Sequence, residues 1–264
     1  MDNATVKVSA LRLSGKAASW VEDAVAGEFP VTIILNDREI VTLLCSPANL
    51  KYLAVGFLFS AGFLRSKDEI HKIMVDDRRG VVRIEAETDT DFAGDGLFKR
   101  VITSGCGRGP SFYGAADVQG KAKVESRVTV AAPDILTLVK RFQQRSQLYR
   151  ETGGVHSAGL CDVKDVLVFD EDIGRHNALD KILGQCILND IATADRIVVT
   201  SGRVSSDMMV KVARRNVPVV ISKSAPTSLG LKLAADLGVT LVGFVRGRRM
   251  NVYTHDWRII RDGK

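Results

Sequence analysis

The sequence predicts an α/β protein: a three-layer α/β/α sandwich with a mixed, largely parallel C-terminal sheet, joined to a smaller N-terminal α+β part. Three observations carry this reading. RIVVTSG (196–202), VPVVISKSAPTS (217–228) and VTLVGFVRG (239–247) each hold an unbroken apolar run, as strands buried on both faces do. The segments between them read as amphipathic helices, so the strands are joined by crossovers and run parallel. The first half lacks that repeat and shows an alternating hairpin instead. A chain of 264 residues buries a core of this size. We divide it into residues 1–130, the α+β part carrying a cysteine loop, and residues 131–264, the α/β part offering a ligand edge.

Along the chain, the first thirty residues show only weak periodicity. VTIILNDREIVTLLC (31–45) alternates about Asn36 and Asp37, as a β-hairpin with a polar turn does. Ser46 and Pro47 form a helix-start signal, because serine accepts from free first-turn amides and proline fits the first turn; this helix runs to about Gly62. A short helical piece near 66–74 and a strand at VVRIEAE (81–87) follow. DTDFAGDG (89–96) is a polar loop, and KRVIT (99–103) a strand that delivers Cys106 at its end. Pro133 opens a helix through about Arg150, ended by Glu151, Thr152, Gly153 and Gly154. HSAGLCD (156–162) and VLVFDED (166–172) are apolar runs around a DVKD turn. The strand–helix series then starts, with helices at about 203–215 and 226–237, and closes at 239–247.

Bulk properties exclude several classes. With 45% hydrophobic residues, extensive disorder is not expected. The N-terminal segment has no apolar run behind a basic one, and LAVGFLFSAGFL (53–64) is too short to span a bilayer. The four cysteines, 45, 106, 161 and 186, show no zinc spacing. These point to a soluble cytoplasmic protein with no metal site and no membrane partner. The formal charge is +6, with basic residues at 214–215 and 246–249. Aromatic residues are 6% and do not interleave with the basic ones, so no nucleic-acid partner is expected. A solvated basic face, a pocket for a small polyanion and a docking face for an acidic partner remain open.

The ends of the predicted C-terminal strands share a chemistry. Asp172, Gly174, Arg175, His176 and Asn177 follow the first; Ser201, Gly202, Arg203 and Ser205 follow the second. Ser222, Lys223, Ser224, Ala225, Pro226 and Thr227 follow the third, and Arg246, Gly247, Arg248 and Arg249 the last. In open α/β sheets ligands occupy the crevice beyond the strands' carboxyl ends, where helix N-termini offer free N–H groups. Small residues let a phosphate approach the backbone and arginines bind it bidentately. Plainer roles stay open beside this one. Gly174 and Gly202 suffice to end strands, and Ser201, Ser222 and Thr227 to cap helices. His176 fits a cap or a core position as well as a ligand contact. His255 packs at the chain's end, and Cys45, Cys161 and Cys186 sit in apolar contexts as small core residues.

Cys106 is different. In TSGCGRGPSFYG (103–114) it lies between Gly105 and Gly107, whose N–H groups are free to face sulfur, with Arg108 adding positive charge. Both features favour the thiolate, the reactive form. A phosphatase- or rhodanese-like loop needs an arginine about six residues on, where Phe112 stands. A zinc deaminase needs H-x-E and P-C-x-x-C, and neither occurs. A cysteine hydrolase needs a histidine partner whose place the sequence leaves open.

TSGCGRG (103–109), DEDIGRHNALDKILG (170–184), TSGRVSSDMMVKVARR (200–215), SKSAPTSLGLKLAADLGVTLVGFVRGRRMNVYTH (222–255) and SPANLKYLAVGFLFSAGFL (46–64) together resemble the formate dehydrogenase accessory sulfurtransferase family (FdhD/NarQ-like). The resemblance implies a fold related to the cytidine deaminases without their zinc, and a homodimer. It implies a protein that takes sulfur from a cysteine desulfurase and delivers it to the molybdenum cofactor, molybdopterin guanine dinucleotide, of formate dehydrogenase. Cys106 falls on the family's persulfide-bearing cysteine. Phe244, Val245, Arg246, Gly247, Arg248 and Arg249 fall on the segment used near the cofactor. On this reading Arg203, Arg246, Arg248 and Arg249 hold phosphates, Gly202, Ser222 and Ser224 add backbone or hydroxyl contacts, and Arg175, His176 and Thr227 line the same edge. One departure is Gly109, where the family has the second cysteine of C-x-x-C; no relay between two thiols in the loop is then available. The alternative is a non-catalytic chaperone that holds the cofactor for formate dehydrogenase.

Overall fold

The computed structural model describes residues 4–88, 101–102 and 123–261. Thr5–Ser14 (β1) and Ala17–Ala26 (β2) form an antiparallel ribbon that pairs with no further strand among the described residues. Its weak periodicity has a physical origin. Apolar side chains alternate outward on both faces, Val6 and Val8 on one and Leu11 and Leu13 on the other, so no single buried face stands out.

Phe29–Leu35 (β3) and Arg38–Cys45 (β4) are the expected hairpin. Asn36 and Asp37 turn it with φ of 47° and 62°, the double left-handed backbone of a two-residue hairpin turn. The next helix, Leu50–Ala61 (α1), ends on Gly62 in left-handed conformation, near where the sequence stops it. Its start differs. Ser46 does not cap it, and Asn49 at φ 57° precedes its first turn. The Ser46 N–H instead donates to Asp172 Oδ2 at 3.0 Å and its Oγ accepts from Ile173 N–H at 3.2 Å, so tertiary partners outbid the local signal. The short helix expected near 66–74 is one 3₁₀ turn at Lys67–Glu69 followed by a strand, Ile70–Asp76 (β5). Val81–Ala86 (β6) and Val101–Ile102 (β7) complete a sheet of order β5-β6-β3-β4-β7. The 89–96 loop lies outside the described residues.

The second half builds the three layers. Val130–Ala131 (β8) leads into Ala132–Arg145 (α2), and the helix expected to reach Arg150 breaks at Ser146 before Gln147–Thr152 (α3). His156–Cys161 (β9) and Val166–Asp172 (β10) pair antiparallel, followed by Arg175–Leu188 (α4). Ile197–Thr200 (β11), Ser206–Arg214 (α5), Val219–Ser222 (β12), Ser228–Asp236 (α6) and Thr240–Arg246 (β13) are the strand–helix series. Arg249–Val252 (β14) then folds back on β13, a strand the sequence reading did not contain, and Ile259–Ile260 (β15) pairs with β8. The sheet order is β10-β9-β11-β12-β13-β14, parallel across β11, β12 and β13 and antiparallel toward both edges. One face packs Ile135, Leu138, Val139 and Phe142 of α2; the other packs α4, α5 and α6 through Leu179, Met208 and Ala234.

The two halves meet where α1 crosses α4. A Cβ on Gly56 would lie 1.9 Å from Asp180 O, and one on Gly184 would lie 2.0 Å from Tyr52 O, so only glycine permits this approach. Charges buried at the seam are paired. Lys181 is fully buried, with Nζ 2.8 Å from Asp172 Oδ2 and 3.9 Å from Asp170 Oδ1, and also donates to Ser46 O and Glu171 O. Lys211 pairs with Asp180, which also accepts from Ser60 Oγ at 2.7 Å. Among the described residues, no helix is long and apolar enough to cross a membrane.

Candidate functional site

Because β9 is antiparallel to β11, its first residue, His156, shares the sheet edge where β11, β12 and β13 end. Asp172, closing β10, pairs with His156 at the same edge. The loops leaving this edge are tied to one another. Ser222 Oγ donates to Gly202 O at 2.7 Å and accepts from Ser224 N–H at 2.9 Å. Val204 N–H donates to Ala225 O, and Phe244 N–H to Ser224 O. Arg246 Nε donates to Lys223 O at 3.1 Å. Phe244 holds φ at 53° at the bulge between Gly243 and Arg246. A non-glycine residue adopts this costly backbone only where its neighbours enforce it, and the bulge re-aims the strand end.

Opposite this wall stand α2 and α3, and between them lies a cleft of about 1080 Å³. Phe142, Val139, Leu136 and Val245 give it an apolar side, and Ser146, Ser157, Ser201 and Ser224 bring hydroxyls. Lys140, Arg150, Lys223 and Arg246 line it, whereas among the described residues no aspartate or glutamate does. The salt bridges among the described residues involve none of these four cations. The nearby carboxylate of Glu171 is occupied: it accepts from Leu148 N–H at 2.9 Å and Tyr149 N–H at 3.1 Å, anchoring the first turn of α3. That anchor, with Ser146 Oγ 3.0 Å from Ser157 Oγ, explains why the helix breaks at Ser146.

His156 sits between the cleft and the arginines. Burial, then Arg175, holds its ring below the ordinary histidine range against the pull of Asp172, so it is neutral at pH 7. Ser201 Oγ accepts from Ser157 N–H at 2.9 Å and lies 3.4 Å from His156 Nδ1. The ring thus presents a neutral hydrogen-bonding edge within a cationic surround. A cleft of this make-up, cationic, hydroxyl-lined and with no carboxylate among its described lining residues, is suited to a polyanion.

The model of the FdhD/NarQ family matches residues 26–260. The chain belongs to the FdhD/NarQ family. Family relatives named sulfur carrier protein FdhD include one from Bacillus pumilus, 46% identical over 237 residues and 90% of each chain. Another, from Bacillus subtilis, is 44% identical over 241 residues, 91% of this chain and 92% of the relative. The crystal structure of a formate dehydrogenase accessory protein from Desulfotalea psychrophila superposes with a TM-score of 0.83 at 29% identity. It covers 97% of this chain and 100% of its own. The three-layer architecture is therefore shared with a family structure, and the family match begins at Ala26, the last residue of β2.

The structure distributes the residues singled out from the sequence. Ser224, Val245, Arg246 and Gly247 line the cleft, with Gly247 turning the hairpin into β14 at φ 60°. The Arg246 guanidinium stacks over the Phe244 ring at 5.9 Å. Arg248 and Arg249 are exposed on that hairpin, outside the cleft lining. Ser222 is fully buried as the clamp described above. Thr227 caps α6, accepting from Gly230 N–H at 3.1 Å. His176 Nε2 lies 3.3 Å from Ser205 Oγ, and burial, with Lys211 and Arg175, takes its pKa down to about 3. Arg203 is exposed, and Arg175 begins α4 with its stem against Gly202, where a Cβ would meet it at 2.9 Å. Cys45, Cys161 and Cys186 are buried, and burial pushes each thiol up to about 12, so none is a nucleophile. Cys106, Arg108 and Gly109 lie outside the described residues. Sequence reasoning missed His156 and the α2–α3 side, with Lys140, Tyr149 and Arg150. The pairing of β9 with β11 brings His156 to the edge, and no local pattern announces that pairing.

Proposed function

We propose that this chain is a sulfur carrier serving formate dehydrogenase, with Cys106 as the carrying atom and the strand-tip cleft as the seat of the acceptor's phosphates. The cationic cleft, with no carboxylate among its described lining residues, is the observation that supports this reading most. The acceptor, molybdopterin guanine dinucleotide, is substrate here: its phosphates suit Lys223 and Arg246, and the neutral edge of His156 offers a hydrogen bond that attracts no second anion. The path of the chain adds support. β7 runs parallel to β4 with Ile102 beside Leu43. Leu44 O, next on β4, accepts from Asn177 Nδ2 at 2.9 Å, and Ser46 bonds Asp172. Ile102 therefore heads toward the root of α4 at the strand-tip edge. Cys106 is four residues farther on, a reach of at most about 14 Å.

The chemistry requires only a thiolate. Cys106 sulfur attacks the terminal sulfur of the persulfide on a cysteine desulfurase; a new S–S bond forms and the desulfurase leaves as its thiolate. On delivery, that S–S bond breaks and its electron pair returns to Cys106. The acceptor takes neutral sulfur and supplies the electron pair of the bond it forms.

Incubation with a cysteine desulfurase and cysteine, followed by mass spectrometry, tests this. A gain of about one sulfur atom is expected on the wild type and none on Cys106→Ala. A wild type that stays unloaded rules out the carrier. Gly109, in place of a second cysteine, favours one other reading, a chaperone that holds the cofactor without carrying sulfur. Formate dehydrogenase matured normally by Cys106→Ala would select it.

A further inference from the structure

The basic residues at 214–215 have no part in the cleft. Helix α5 leaves the strand-tip edge at Ser206 and runs back along the sheet, so Arg214 and Arg215 stand at its far end. A second cavity, of about 480 Å³, opens there between the C-terminal parts of α1, α4 and α5. Its volume lies within the range of small-molecule sites. Phe59, Leu64, Leu183 and Ile187 give it apolar walls. Arg65, Lys211, Arg214 and Arg215 also line it, and among the described residues no aspartate or glutamate does.

Two of these cations serve the fold. Lys211 pairs with Asp180 beneath the cavity. Arg214 Nη1 donates to Ser60 O at 2.6 Å, tying α5 to the last turn of α1. Gly62 makes room for that bond, since a Cβ there would lie 2.9 Å from Nη1. Arg215 differs. The salt bridges among the described residues do not include it, and its Nε is buried with no acceptor. Burial pushes its pKa down, and the Cys186 thiol, itself pushed up to about 12, is neutral at pH 7 and gives it no anion. A buried donor without an acceptor is costly, so the fold alone does not account for an arginine here.

We infer that this cavity is a second ligand site, separate from the cleft, and that it takes a phosphomonoester with a small apolar body. The phosphate oxygens supply the acceptor that Arg215 Nε lacks, and Arg65 and Arg214 add positive charge around the dianion. The apolar walls, and a volume well beyond that of one phosphate group, call for the body. A smaller hollow of about 330 Å³ shares Phe59, Arg65, Ile187 and Arg215, so Arg215 stands between two spaces. The carboxylates of that hollow are engaged: Asp190 pairs with Lys67, and Asp68 accepts from Ser66 Oγ at 3.0 Å. The inference does not rest on the sulfur-carrier reading, because its cavity, probe and variants are all different.

Calorimetric titration of the full chain with phenyl phosphate tests it. One saturable site per chain is expected, with inorganic phosphate at least about tenfold weaker. Arg215→Met is expected to weaken phenyl phosphate at least about tenfold, and Arg65→Gln about threefold. Lys223→Glu, in the cleft, is expected to change nothing. Arg215→Met removes an unpaired donor and keeps an apolar stem, so its unfolding midpoint is expected to hold or rise. Absence of saturable binding into the millimolar range overturns the inference. So does binding that Arg215→Met leaves intact, or that Lys223→Glu abolishes, which would place the probe in the cleft. A lowered midpoint in Arg215→Met would assign the guanidinium to the fold instead. Inorganic phosphate bound as tightly as phenyl phosphate would overturn the apolar body.

Discussion

The seam between the two halves and the cleft at the strand tips handle charge in opposite ways. At the seam each buried lysine has its carboxylate: Lys181 has Asp172 and Asp170, and Lys211 has Asp180. Arg258, also buried, satisfies its guanidinium on the carbonyls of Val124, Ser126 and Gly238. At the cleft, Lys140, Arg150, Lys223 and Arg246 line a cavity with no acidic residue among the described ones. There Arg150 and Arg246 donate to the carbonyls of Gln143, Gln144 and Lys223, and none of the four cations joins a salt bridge among the described residues. The contrast separates charge neutralised inside the fold from the charge that the proposed function assigns to a ligand.

The largest effect that sharpens the contrast belongs to the seam. Lys181→Met strands Asp170 and Asp172 in the interior and is expected to cost about 3–5 kcal/mol in a denaturant titration. A loss below about 1 kcal/mol would mean that the seam tolerates unpaired charge and that the contrast is false.

The next effect is pH-dependent. Burial, opposed by Lys181 and Asn49, raises the Asp170 carboxyl to about 6. Its unfolded value is about 3.9, so between the two the folded state binds the extra proton. This residue's contribution to stability is therefore complete below about pH 4 and declines as pH rises to 6. Stability curves of wild type and Asp170→Asn are expected to diverge by about 2–3 kcal/mol across that window, with the wild type losing ground as pH rises. Parallel curves would deny the shift.

A smaller effect is expected at the clamp beneath the cleft. Ser222→Ala removes one donor and one acceptor from a fully buried site and is expected to cost about 2 kcal/mol by thermal or chemical unfolding. The smallest stability change belongs to the cleft cations. Lys223→Glu and Arg246→Glu lie on partly or fully exposed positions and are expected to move stability by no more than about 1 kcal/mol, because neither charge is in a buried ion pair and Arg246 gives up only an exposed bond to Lys223 O.

Much of the fold was legible because it rests on local pattern. The hairpin at Asn36–Asp37, the apolar strands β11, β12 and β13 and the glycine end of α1 announce themselves in sequence. Elements governed by distant partners did not. Ser46 and Pro47 carry a helix start, but Asp172, far along the chain, claims the serine. Ile70 and Ile73 are spaced as in a helix yet lie in the edge strand β5, where little is buried and propensity has little to bind it. The site divides in the same way. Ser224, Val245, Arg246 and Gly247 follow from the rule that ligands sit beyond strand ends. Ser222 and Thr227, chosen by the same rule, are held by Gly202 and Gly230. Lys140, Arg150 and His156 reach the cleft only through the packing of α2 and α3 and the reversed direction of β9.

Titration with guanosine diphosphate, the nucleotide half of the proposed acceptor, tests the reserve of charge most directly. The wild type is expected to bind with an affinity that falls as salt rises, and Lys223→Glu or Arg246→Glu to weaken binding at least about tenfold with folding unchanged. Binding that both reversals leave untouched would contradict the assignment of the cleft.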